Sequence, residues 1–195
     1  MISVEHPVRL IALVGFMGAG KTTVGRLLAA QTGWRFLDAD AVIEAETGST
    51  IAELFNRHGE PWFRELERRT IARLVSDHTA RHMPTQSDAV PSMLPGLVLA
   101  LGGGAIEDAE TRALLLHADG VRLVHLEVTL AESVRRCTAD AGNLRPVLAD
   151  RERLATRYAQ RLGLYRLAHR TVAVDGLTPE QAAEGILHGL REDAS

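Results

Sequence analysis

The stretch Gly15-Phe16-Met17-Gly18-Ala19-Gly20-Lys21-Thr22 restricts this chain more than any other, because it satisfies the pattern G-x-x-x-x-G-K-[ST] at every fixed position. Before it, Val8-Arg9-Leu10-Ile11-Ala12-Leu13-Val14 is the nearly continuous apolar run that a strand buried on both faces of a parallel sheet requires. After it, Val24, Leu27 and Leu28 recur at helical spacing. A strand, a glycine-rich loop and a helix therefore meet here. In such a loop, glycines let backbone N–H groups turn inward around phosphate oxygens, and the helix N-terminus adds partial positive charge. The lysine reaches the outer phosphates, and the threonine hydroxyl suits Mg²⁺.

Composition narrows the partners. The 195 residues fit one domain, 1–195, large enough to bury a core without disulfides or a structural metal. Only 4% are aromatic, so aliphatic side chains must fill most of that core. A net charge of −3 provides no global field for polyanions, so phosphate binding has to be local and no nucleic-acid partner is expected. The single cysteine, Cys137, excludes an internal disulfide and a cysteine-based zinc site, and reads as a small helix residue. The eight histidines show no metal-ligand spacing and read as surface or neutral core residues. Met1 to Pro7 has no apolar signal core, and no apolar run approaches the roughly 18 residues of a membrane span. The expectation is a cytoplasmic protein with no membrane association.

Along the chain, strands alternate with helices, which predicts an α/β fold with a five-stranded parallel sheet. The first helix ends at Thr32-Gly33. Trp34 to Leu37 is a short strand delivering Asp38-Ala39-Asp40, whose two carboxylates point the same way if the segment is extended; the pair reads equally as an acidic turn capping the next helix. Short helices are expected over Ala41–Glu46 and Thr50–His58, the second with a Glu53 capping box and Gly48 as the stop before it. Pro61 suits the first turn of a long helix from Gly59 that continues through Ile71, Leu74 and Val75. Arg64 near its start opposes the helix dipole, which favours a binding role, although Glu60 and Glu67 are spaced to pair with it.

Residues 76–96 have no apolar period and read as a flexible insertion. Leu97 to Leu101 is a strand ending in Gly102-Gly103-Gly104, where bare backbone lets a ligand approach the edge at which open α/β sheets bind. Asp108–His117 is expected as helix, Val121–Leu126 as strand and Leu130–Thr138 as helix. Small and turn-forming residues then surround Arg145, the pattern of a mobile cover at about 139–150 and also of an ordinary loop. Arg151 to Arg170 reads as one long basic helix with a charged outer face. Thr171 to Asp175 is the last strand, and Thr178-Pro179-Glu180-Gln181 starts the final helix.

Taken together, Asp38-Ala39-Asp40, Gly59-Glu60-Pro61-Trp62-Phe63-Arg64, Gly102-Gly103-Gly104, Arg145-Pro146 and Arg161-Leu162-Gly163-Leu164-Tyr165 resemble the shikimate kinase family in order and approximate spacing, from about Leu10 to Leu190. The resemblance implies a P-loop three-layer sandwich of the nucleoside monophosphate kinase type and a monomer. The implied reaction is transfer of the ATP γ-phosphate to the shikimate 3-hydroxyl, in aromatic amino-acid biosynthesis, with Mg²⁺ as cofactor. It further implies that Gly18, Ala19, Gly20, Lys21, Thr22 and Thr23 bind the ATP phosphates, with Arg136 on the adenine side and Arg145 on the lid. Thr22 would hold Mg²⁺ with Asp38, the latter through water. Asp40, Arg64, Gly103 and Arg161 would line the shikimate site, with Lys21, Asp40 and Arg145 catalytic. The chemistry agrees, since guanidinium groups grip a carboxylate through paired hydrogen bonds and a carboxylate such as Asp40 accepts the attacking hydroxyl's proton.

Two departures stand out. Gly163 occupies the place of the family's usual proline, loosening the helix that carries Arg161, and the 76–96 stretch exceeds the common length. Alternative readings are a kinase for a related hydroxy acid, such as gluconate or aminoshikimate, and a non-catalytic ligand-sensing domain. Retention of Lys21, Asp40 and both arginines favours shikimate phosphorylation.

Overall fold

In the computed structural model, which describes residues 8–79, 96–139 and 151–192, the apolar run before the glycine loop becomes β1 (Leu10–Val14). No residue of it is more than 1% exposed. Such a strand needs partners on both sides, and it has them: β3 (Leu97–Ala100) and β4 (Val121–Glu127) both run parallel to it, with Leu10 opposite Leu97 and Val121. β2 (Arg35–Asp38) lies beyond β3 and β5 (Arg170–Ala173) beyond β4, giving the order β2-β3-β1-β4-β5, parallel throughout. Burial falls off toward the edges, where β5 alternates half-buried and exposed residues.

The helices are α1 (Lys21–Thr32), α2 (Ala39–Thr47), α3 (Ile51–His58), α4 (Glu60–Thr79), α5 (Ala109–His117), α6 (Leu130–Ala139), α7 (Arg151–Tyr165) and α8 (Pro179–Glu192). Crossovers between parallel strands are right-handed. Those from β1 to β2 and from β3 to β4 run in opposite directions across the sheet, which puts α1 and α5 on opposite faces. α1 packs with α8, and α4 with α5. Because β1 and β3 send their chains in opposite directions, a crevice opens at their carboxyl ends, where the glycine loop and Gly102–Gly104 meet. Among the described residues, no helix is long and apolar enough to cross a membrane.

Local signals placed most boundaries. Thr50 and Glu53 form the expected capping box, Gly48 ends α2, and Thr178 and Gln181 cap α8 reciprocally. A small second core of Ile43, Leu54 and Phe63 ties α2, α3 and α4 together. It fixes the two helices that carry Asp40 and Arg64.

Three expectations need correction. Residues 76–79 are not insertion but the last turn of α4, and Gly96 leads directly into β3; 80–95 lie outside the described residues. The long basic helix stops at Tyr165 rather than Arg170, and beyond it the ring of the exposed His169 bridges two backbone groups. His169 Nδ1 accepts from the Leu123 amide at 2.9 Å while Nε2 donates to the Leu116 carbonyl at 3.0 Å, which commits the following residues to β5. Finally, Asp38 and Asp40 do not share an extended segment. Asp38 ends β2 and caps α2, accepting from the Asp40 amide at 3.1 Å, and Asp40 sits in the first helical turn.

Candidate active site

The glycine loop is held from several sides. The Ser133 hydroxyl, fully buried in α6, donates to the Met17 carbonyl at 2.8 Å, and Phe16 meets Tyr158 of α7 edge-on with ring centroids 5.2 Å apart. Arg136 donates to Val174 O at 2.7 Å and Gly18 O at 3.3 Å while pairing with Glu132 at 2.7 Å. Gly20 takes a left-handed conformation (φ 88°) as the N-cap of α1, so the loop leads directly into the positive end of the helix. Lys21 Nζ lies against the loop, donating to Gly15 O at 2.8 Å and Phe16 O at 3.2 Å. The Thr22 hydroxyl donates to Asp38 Oδ2 at 2.9 Å, which brings two oxygen donors together beside the loop.

Lys21, Thr22, Asp38, Asp40, Gly103, Arg136 and Arg161 all line one cavity of about 430 Å³, together with Gly18, Gly20 and Thr23. A neighbouring cavity of about 420 Å³ is bounded by Gly18, Ala19, Gly20, Thr23, Arg136 and the segment after β5, from Val174 to Pro179. Arg136 stands at the join of the two. Arg145 and most of the 139–150 segment lie outside the described residues; Ala139 itself belongs to α6.

Arg64 does not line the first cavity; behind its Gly102–Gly103 wall, charged side chains are packed against bare glycine. A Cβ on Gly102 would stand 2.6 Å from Glu67 Oε1 and 3.0 Å from Asp40 Oδ1, and one on Gly104 would collide with the Arg64 guanidinium. The glycine triplet is what lets these groups approach the end of β3. Arg64 makes both pairings its spacing allows, to Glu67 at 2.6 Å and Glu60 at 3.2 Å. Burial, reinforced by Asp38, raises the Asp40 carboxyl above the ordinary range against the pull of Lys21 and Arg64. Burial also raises Glu67, with Arg64 opposing and Asp40 adding to the rise. Two close carboxyls with raised proton affinity suit a group that must take up a proton.

Arg161 contradicts the outer-face reading of its helix. With Leu154 and Tyr165 it forms the buried face of α7, and only 8% of it is exposed. Tyr165, one turn on, donates to the Gly103 carbonyl at 2.5 Å, and burial pushes its phenol well above the ordinary value, so the proton stays in place. Gly163 faces solvent and α7 runs straight through it. The sequence reading assigned nothing to Glu67 beyond a pairing, nor to Glu107, whose carboxylate accepts from Arg161 at 2.8 Å.

Beneath Tyr165 the ring of His125 stacks at 5.1 Å, 2% exposed, and burial lowers its pKa from 6.5 to about 4 despite the nearby Glu127. Between those two values the unfolded chain binds a proton that the folded chain refuses. Stability from this group is therefore complete above pH 6.5 and is lost as pH falls toward 4, by roughly 2–3 kcal/mol. Urea midpoints at pH 7.5 and 4.5 should differ less in His125→Phe, which keeps the stack, than in the wild type. An equal acid loss in both proteins would place the acid sensitivity elsewhere.

Comparison with known proteins decides the family. The family model described as shikimate kinase matches residues 17–83 and 87–191. The chain belongs to the shikimate kinase family. Relatives within it include the shikimate kinase of Thermobifida fusca, 42% identical over 184 residues (93% of this chain and 94% of that one). The Streptomyces coelicolor enzyme is 40% identical over 184 residues, covering 93% and 95%. Among solved structures, shikimate kinase from Acinetobacter baumannii in complex with shikimate superposes with a TM-score of 0.79 at 34% identity, covering 95% of this chain and 94% of that one. A gluconokinase from Sinorhizobium meliloti, at 17% identity and a TM-score of 0.55, shares the fold alone. Members of the family use ATP as co-substrate.

Proposed function

We propose that this chain transfers the γ-phosphate of ATP to the 3-hydroxyl of shikimate, giving shikimate 3-phosphate and ADP. The observation that carries the reading is that the phosphate-loop lysine, a half-buried carboxyl and a buried guanidinium line one cavity, as Lys21, Asp40 and Arg161. ATP lies with its phosphates in the glycine loop and its base toward the second cavity beside Arg136. The acceptor carboxylate is gripped by Arg161 and Arg64, which leaves its hydroxyl near Asp40 and Gly103. The hydroxyl oxygen forms the new bond to γ-phosphorus, its proton passes to Asp40, and the bond to the β-phosphate oxygen breaks as ADP leaves. Lys21 offsets the charge gathering on the transferring group. Arg145 is assigned by resemblance to the same task from the lid.

Thr22 and Asp38 fit a magnesium ion by their chemistry: both offer oxygen, and they already touch. Among the described residues, no cluster of three or more acid, histidine or cysteine ligands exists, so phosphates and water would complete the shell, which is how Mg²⁺ is usually held. When bound, the ion would neutralise charge on the β- and γ-phosphates. Every group in this scheme comes from one chain, which fits a monomer acting on small molecules in the cytoplasm.

ADP release with shikimate, gluconate, quinate and aminoshikimate measured in parallel tests the reading. Shikimate should give the highest kcat/KM. A higher value for gluconate or aminoshikimate would replace shikimate as the acceptor.

A further inference from the structure

Arg161 reaches the acceptor cavity already carrying a carboxylate. Its Nη2 donates to Glu107 Oε2 at 2.8 Å, across 54 residues of sequence. Glu107 ends the short 3₁₀ turn Ala105–Glu107, which follows the glycine triplet directly, and the turn is pinned by Arg112 Nη1 on the carbonyls of Ile106 (2.9 Å) and Glu107 (3.2 Å). The two partners differ in setting. The Arg161 side chain is 9% exposed, whereas that of Glu107 is 38% exposed. Arg161 Nε is buried and has no hydrogen-bond partner among the described residues. The guanidinium is thus held by the Glu107 carboxylate and left with unused donor capacity at Nε inside a ligand cavity.

We propose that Glu107 is the internal rival of the acceptor carboxylate: it holds Arg161 in the empty site, and its charge sets how tightly the site binds acidic acceptors. The proposal rests on the reading of Arg161 as a carboxylate ligand. A guanidinium serves two carboxylates at once only by bringing like charges together, and their repulsion is strong where water is largely excluded. The other acids nearby answer first to other cations: Glu67 binds Arg64 through Oε2 and feels Arg161 only as a weaker, unbonded charge, and Asp40 is drawn by Lys21 and Arg64. Among the described residues, Glu107 is the carboxylate hydrogen-bonded to Arg161, and its side chain remains partly in solvent. An arriving carboxylate therefore shares or displaces it, whereas a neutral acceptor does neither.

Glu107→Gln isolates charge from shape, because the amide oxygen still accepts from Arg161. Dissociation constants should be measured calorimetrically, without nucleotide, for shikimate and for its carboxamide. Loss of the rival charge should tighten shikimate binding by about three- to tenfold, the size of a partly exposed charge pair. Carboxamide binding should stay within about twofold, and so should binding of a non-hydrolysable ATP analogue, which also reports that the fold is intact. Unchanged or weaker shikimate binding in Glu107→Gln would overturn the proposal and make Glu107 a prop for Arg161. Arg161→Ala, measured beside it with Glu107 intact, tests the underlying reading separately. If that variant binds shikimate as the wild type does, the acceptor carboxylate lies elsewhere and both ideas fall. If it loses affinity while Glu107→Gln gains none, only the rival role is lost.

Discussion

Lys21→Met should lower turnover on the order of a thousandfold while leaving the fold intact. Its ammonium sits at the mouth of the loop, bonded to the Gly15 and Phe16 carbonyls, and methionine keeps the aliphatic stem while removing the charge. Those two bonds end on carbonyls of buried residues, so stability should fall by about 1–3 kcal/mol without loss of the fold. Lys21 is also the only lysine in the chain, the remaining 21 of its 22 basic residues being arginine. An amine-selective reagent therefore has one ε-amine to find. Inactivation by such a reagent should track a single added mass on Lys21 and be prevented by ATP. Retained activity in Lys21→Met with unaltered circular dichroism, or full activity after complete labelling, would remove Lys21 from the chemistry.

The second large effect concerns Arg161. If this guanidinium and that of Arg64 hold the acceptor carboxylate, Arg161→Ala leaves a desolvated anion partly unpaired, and shikimate affinity should fall by about 2–5 kcal/mol. Arg161→Lys should recover little, since a point-charge ammonium cannot supply the planar fork. The wild type should prefer shikimate strongly over its carboxamide, and the alanine variant should lose most of that preference. ATP-analogue binding should be unaffected, because the loop contacts run through α6 and Tyr158 rather than through Arg161. Equal acid-over-amide discrimination in wild type and variant would move the acceptor carboxylate to another part of the cavity.

What the sequence disclosed, and what it withheld, follows the distance over which each feature is determined. The loop from Gly15 to Thr22, the caps at Thr50 and Thr178 and the buried central strands were legible because each depends on residues a few positions apart. Of the two readings of Asp38-Ala39-Asp40, the extended pair fails and the capping turn holds: the carboxylate of Asp38 accepts from the amide of Asp40, and that bond converts strand into helix one residue sooner than an extended segment allows. Arg161 was named through the family resemblance, not through its helix, where the surrounding basic residues read as a charged outer face; it falls in line with Leu154, Tyr158 and Tyr165 at helical spacing, a charge within an apolar stripe. The end of α7 was not legible, because the ring of His169 bonds to backbone more than forty residues upstream. Nor was the pairing of Glu107 with Arg161, which no local spacing announces.

The strand order has a consequence for how the chain comes into being. β1 and β2 are the first strands made, yet they are not neighbours; β3 lies between them. Until Leu97 emerges, neither has any partner for its backbone, and β1 is among the most apolar segments of the molecule. A ribosome elongating through the first half of this message therefore displays an unpaired, sticky strand for the whole interval, held only by whatever α1 and α4 can cover. Parallel sheets delay their reward in this way, and the delay is when aggregation competes. The placement of the glycine loop at the carboxyl end of β1 is thus purchased with a vulnerable period during synthesis, and the yield of active protein should respond to translation speed and to chaperones that bind extended apolar segments.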